Sequence, residues 1–157
     1  SQMKPYVRDR YIAKDGIDKF DSLLQTPISK TSLKTVLSFS QERLSAIYVD
    51  IDESDYIYEK FISQIIEKYG NGNVKNDRKD EQCIYKNGSN FKLTTGLIRS
   101  TWIESLSEKE LIETSADDWL LDFCPSNLSY GSTQMKMKSI TIQRIAKPTS
   151  DKPKNLF

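Results

Sequence analysis

The chain has 157 residues, 37% hydrophobic and 29% charged, with a formal net charge of +1. These values fit one globular domain with a polar surface, and the near-neutral balance excludes a strong pull toward nucleic acid or an anionic membrane. The sequence holds no histidine, which removes Ser-His-Asp and Cys-His catalysis, histidine zinc sites and the commonest general base near neutral pH.

Residues 1–14 carry charge without clear periodicity and read as a tail, with Ser1-Gln2 ahead of Met3 resembling a cloning scar. Asp15 is placed to cap a short helix in which Ile17, Phe20, Leu23 and Leu24 share a face, ended by Pro27. Thr31 or Ser32 can cap a second helix, with Leu33, Val36 and Leu37 at helical spacing. Residues 15–43 are therefore expected to form a helical extension. From Ala46 to Ile51 an apolar run without alternation predicts a strand covered on both faces, as in a parallel sheet. Ser54 to Tyr69 predicts the strongest helix, with Ile57, Tyr58, Phe61, Ile62, Ile65, Ile66 and Tyr69 on one side and Gly70 as its C-cap. Acidic Asp52, Glu53 and Asp55 suit the positive end of its dipole.

Beyond the turn Asn71-Gly72-Asn73, the spacing predicts a very short strand near Val74, a charged loop from Asn76 to Glu81 and a short strand from Gln82 to Tyr85. A helical turn over Phe91–Thr95, a strand at Leu97-Ile98-Arg99 and a helix over Thr101–Ser107 follow, with Trp102, Ile103 and Leu106 inward and Trp102 a core residue. Leu111, Ile112, Trp119, Leu120, Leu121 and Phe123 form a compact apolar set. Residues 125–133 are turn-rich, Met135 to Ile145 predicts a strand, and Lys147 onward a polar tail. In that strand Met135 and Met137 alternate with lysines before Ile140 and Ile142 take the opposite phase, which predicts a bulge or a strand crossing between surfaces. Cys83 and Cys124 have no metal-like spacing and are expected as buried thiols in a reducing compartment.

The segment Leu97-Ile98-Arg99-Ser100-Thr101-Trp102-Ile103-Glu104-Ser105-Leu106, followed by Lys109-Glu110-Leu111-Ile112 and Asp118-Trp119-Leu120-Leu121, resembles the C-terminal part of BRCT domains. The resemblance covers residues 44 to 122, with Trp119 where that family usually has tyrosine. It implies an α/β three-layer fold with a small parallel sheet at 44–123, after the helical extension and before an extra C-terminal strand and polar tail at 124–157. It also implies a nuclear scaffold that docks partner proteins in DNA repair, DNA replication or silent chromatin. Phosphopeptide-binding members of the family have a Ser or Thr and a Gly after the first strand. Here Asp50-Ile51-Asp52-Glu53 would repel a phosphate, so docking of short unphosphorylated peptides is expected. Lys92, Arg99, Asp52 and Tyr56 are the candidate partner contacts. Neither DNA binding nor membrane insertion is expected, and no catalytic residue, cofactor or metal is assigned.

A rival reading is enzymatic. Tyr48-Val49-Asp50-Ile51-Asp52-Glu53-Ser54 also resembles the first motif of haloacid-dehalogenase-type phosphatases, which place a nucleophilic and an acid/base aspartate beside Mg²⁺. Asp50 and Asp52 would take those roles, with Asp117-Asp118 as the later acidic pair. The distance in sequence from Asp50 to Asp117 is short for that fold, and an acidic helix start explains the same carboxylates.

Overall fold

The computed structural model describes residues 10–12, 16–52, 55–85, 87–124 and 134–148. The expectations for the N-terminal tail, for Asp15 as a cap, for the turn at 125–133 and for the polar tail after residue 148 lie outside the described residues. Nine strands and one helix appear among the described residues: β1 (Arg10–Ile12), β2 (Asp18–Leu24), β3 (Leu33–Ser40), β4 (Arg43–Asp52), α1 (Asp55–Tyr69), β5 (Asn73–Asn76), β6 (Lys79–Ile84), β7 (Asn90–Ser105), β8 (Glu110–Leu121) and β9 (Met135–Ala146). They make one antiparallel sheet in the order β1-β2-β3-β4-β9-β8-β7-β5, with β6 also on β7. The expected three-layer fold with a parallel sheet is therefore corrected. Every strand pair is antiparallel, and α1 is the one helix described.

Both helices of the expected N-terminal extension are strands. In β3, Leu33, Thr35 and Leu37 are buried on one side, a period of two that Val36 had disguised as helical spacing. β2 lacks such alternation, and pairing along all seven of its residues with β3 decides its conformation. β3 turns into β4 through Gln41 and Glu42, with φ of 51° and 61°. Two consecutive positive φ angles give the twist that a two-residue hairpin needs, here without a glycine.

The largest revision lies in residues 90–105. The expected helical turn, short strand and helix are one sixteen-residue strand, β7. Thr94, Thr95, Ile98, Thr101 and Ile103 favour extended backbone, and β8 pairs with it from Gly96 to Ser105. Gly96 has φ +132°, and a Cβ there would meet the Asp77 carbonyl oxygen at 2.6 Å. That close approach lets the chain between β5 and β6 run alongside β7 without a break in register, with the Asp77 N–H on the Leu97 carbonyl at 2.9 Å. The expected charged loop at Asn76–Glu81 is partly the start of β6.

Several expectations hold, among them a strand from Met135, here β9. β4 is a strand, α1 spans nearly the predicted residues, and Gly70 ends it with φ +80° and its N–H on the Ile66 carbonyl at 2.8 Å. Trp102 is a core residue, although on a strand, and its indole N–H donates to the Gly70 carbonyl at 2.9 Å. The helix lies over the sheet centre, where Leu33, Val49, Ile51, Tyr58, Trp102, Ala116 and Ile140 form the buried cluster. Ile57, Phe61, Ile62 and Ile65 supply the helix's share.

β9 is a central strand, flanked by β4 and β8. Its change of apolar phase has a plain cause. Met137 stands opposite Trp119 on one face, whereas Ile140 is opposite Ala116 and Val49 beneath the helix. The irregularity expected within β9 falls on its partner, where the register shifts between Asp50 and Asp52. The cysteine expectation is also corrected: Cys83 on β6 and Cys124 beyond β8 form a disulfide, with Cα atoms 5.5 Å apart.

Candidate functional site

Two recesses on the helix side of the sheet offer chemistry. The first is a polar cleft of about 370 Å³ at the N-terminal end of α1, lined by Asp55, Glu59, Arg78, Asp118, Lys136 and Lys138 among others. Lys138 sits opposite Asp118 in the β8–β9 register, and its side chain is only 6% exposed. Its ammonium lies 2.8 Å from Asp118 Oδ1, 3.0 Å from Asp55 Oδ1 and 5.0 Å from the Tyr58 ring centre. Arg78 Nη2 reaches the same Asp118 Oδ1 at 3.0 Å, while its Nε is buried with no hydrogen-bond partner among the described residues.

The protonation states follow from this geometry. Burial works against the Lys138 charge, but hydrogen bonds from its ammonium to Asp118 and Asp55 outweigh it and raise the lysine pKa. The same hydrogen bond to Lys138 lowers that of Asp55. Burial, then the charge of Asp118, pushes the Tyr58 phenol upward, so this ring stays neutral. Three cations and three carboxylates line the cleft. Their balance makes it an anchor that ties the helix start to β8 and β9, with no surplus charge for an ionic ligand.

The second recess is apolar. Leu44, Ala46, Ile47, Leu106, Ile112 and Ile142 line a groove of about 280 Å³ at the opposite end of β4, β8 and β9. Leu44, Leu106 and Ile142 are each more than a third exposed. At the rim, Arg144 Nε and Arg43 Nη1 approach the two oxygens of Glu110 at 3.6 and 3.7 Å.

The sequence-predicted contacts do not converge. Lys92, on the β6–β7 hairpin, pairs with Asp80 at 2.8 Å. Arg99 holds Asp117 through Nε and Nη2 at 2.7 and 2.8 Å. Asp52 ends β4, and Tyr56 lies in the first turn of α1 with Lys60 Nζ 5.5 Å from its ring centre. Arg99 is on the sheet face away from Lys138, by the alternation of β7 and β8. The acidic pair of the phosphatase reading is likewise divided. Asp117 is bound to Arg99 on one face and Asp118 to Lys138 and Arg78 on the other. Asp50 stands in register with Ser139, next to Asp117 on β8.

Sequence reasoning missed the groove because Leu106 was placed inward on a helix. Read with period two, Trp102 and Ile103 face opposite sides, and Leu106 lies past the strand end at a turn closed by its N–H on the Glu110 carbonyl at 3.0 Å. Ile142 carried a usable signal, since its phase differs from that of Met137.

No protein-family model matches the chain, and searches of curated proteins and of solved structures find none similar to it. Residues that carried the BRCT resemblance occupy two adjacent antiparallel strands, β7 and β8.

Proposed function

We propose that this chain is a protein-docking module that seats an apolar side chain of a short, unphosphorylated partner peptide in the groove between Leu44, Leu106 and Ile142. The observation that carries this reading is the gathering of three large exposed apolar side chains in one recess. Scattered exposed hydrophobics are ordinary on a protein surface, whereas a contiguous concave set marks a binding site. Arg43 and Arg144 share one carboxylate, Glu110, which leaves the rim with a modest positive excess. A peptide carboxylate beside the apolar anchor complements it. The site offers no cluster of backbone donors or of free arginines that would select a phosphate.

The nuclear setting implied by the resemblance has no support in the groove. The Cys83–Cys124 disulfide favours an oxidising compartment, because such bonds are rare in nuclear proteins.

Selection from a random peptide display library tests the reading. Enriched peptides should share a Leu, Ile or Phe anchor next to an acidic residue, and binding should fall at least tenfold in Leu106→Glu and in Ile142→Lys. Phosphorylating the peptides should not strengthen it. Enriched peptides that bind both variants as well as the parent protein would place docking elsewhere and sink the proposal.

A further inference from the structure

The hairpin joining β6 to β7 carries a second type of site. Ile84 pairs with Asn90 and Cys83 with Phe91, and the connection is closed by the Tyr85 N–H on the Ser89 carbonyl at 2.8 Å. Tyr85 and Phe91 stack at 5.0 Å beside it. At the tip stands Asn87-Gly88-Ser89, an Asn-x-Ser triplet with exposed Asn87 and Ser89. The Asn87 carboxamide is held in one orientation. Its Oδ1 accepts from the Ser89 N–H at 3.0 Å and from the Ser89 hydroxyl at 2.7 Å. Both donors draw charge onto the oxygen and make the Nδ2 protons more acidic, while Nδ2 keeps no partner among the described residues.

The commonest spontaneous reaction of an Asn-Gly pair is attack by the glycine nitrogen on the asparagine side chain. Here the Gly88 N–H is engaged by the Tyr85 carbonyl at 2.9 Å, and Gly88 is fixed at φ +85°. The Nδ2 group is the one left available. Four residues before Asn87, Cys83 is joined to Cys124. A disulfide and an exposed Asn-x-Ser triplet point to the same oxidising secretory environment, where this triplet is the acceptor of an N-linked glycan.

We propose that Asn87 is an N-glycosylation site. The donor class is an oligosaccharide carried on a lipid pyrophosphate. Asn87 Nδ2 forms a bond to the anomeric carbon and loses one proton, and the anomeric C–O bond breaks with the lipid pyrophosphate leaving with the electron pair. No oxidant or reductant is consumed. The glycan would project from the hairpin tip at the far end of β7 from the docking groove, since Leu106 lies past the opposite end of that strand. Both sites can then be occupied together.

The test is expression of the full chain through the secretory lumen of a eukaryotic cell. The peptide containing residue 87 is read by mass spectrometry in the secreted and the cell-retained pools. Glycan should occupy Asn87 in most molecules, persist in Ser89→Thr and vanish in Ser89→Ala and Asn87→Gln. A deglycosylating amidase run in ¹⁸O water should leave ¹⁸O-labelled aspartate at position 87. Asn87 found bare in both pools, or converted to aspartate before amidase treatment, overturns the proposal. Glycan confined to the other such triplet, Asn127-Leu128-Ser129, does the same.

Discussion

Lys138 shows how a single residue joins the two layers of the molecule. Its stem is buried, and its ammonium bridges Asp118 on the adjacent strand and Asp55 on the helix. Replacing it with methionine keeps the volume but leaves Asp118 with Arg78 alone. Removing one partner of a buried pair costs roughly 3–5 kcal/mol. The remaining Arg78 contact puts Lys138→Met near the low end, about 3 kcal/mol by urea denaturation. Its pH dependence is set by two opposite shifts. The raised Lys138 pKa stabilises the fold below the ordinary lysine value and is lost as pH rises through the raised one. The lowered Asp55 pKa stabilises above the ordinary carboxylate value and is lost as pH falls through the lowered one. The gap between parent and variant should therefore be flat from about pH 5 to pH 9 and shrink beyond ordinary values of about 3.9 and 10.4. A gap that varies steadily across neutral pH would rule this account out. In the sequence this lysine stands between Met137 and Ser139, alternates with Lys136, and reads as exposed. Nothing local reveals that its strand is central.

At the scale of elements, the long helix was legible because its apolar stripe and caps agree. Strand β4 was legible because its apolar run is β-branched. The strands β2, β3 and β7 were misread for a common reason. Each has apolar residues spaced three or four apart by accident, and only the partner strand decides between periods. The disulfide lies beyond any such reading, since its 41-residue separation becomes a contact only when β8 returns past the β6–β7 hairpin. It closes a loop that spans β6's end, all of β7 and β8. Chain-entropy reasoning values a loop of that length at about 4 kcal/mol. Paired Cys83→Ala and Cys124→Ala substitutions should lower stability by up to that amount in guanidinium titrations, and reductant should leave the doubly substituted protein unaffected. An unchanged midpoint would mean that the hairpin holds its place without the bond.

For the whole molecule, the decisive fact is the position of β9. Strands β1 to β4 form one half of the sheet and β5 to β8 the other, and among the described strands β9 alone hydrogen-bonds both halves together. A chain stopped after Gln134 would keep α1 and most of the residues of the apolar cluster, yet leave β4 and β8 as two unpaired edges. Such edges template association. We expect that truncation to be aggregated or unfolded by size-exclusion chromatography and circular dichroism, and a soluble monomer with native strand content would contradict the topology. During synthesis the consequence is one of timing. Ribosomes deliver β9 last among these strands, so the two halves of the sheet cannot be joined before it has been made. Until that strand emerges the chain must stay unjoined and protected, and completion of the fold is a late, all-at-once event rather than a gradual assembly from the N-terminus.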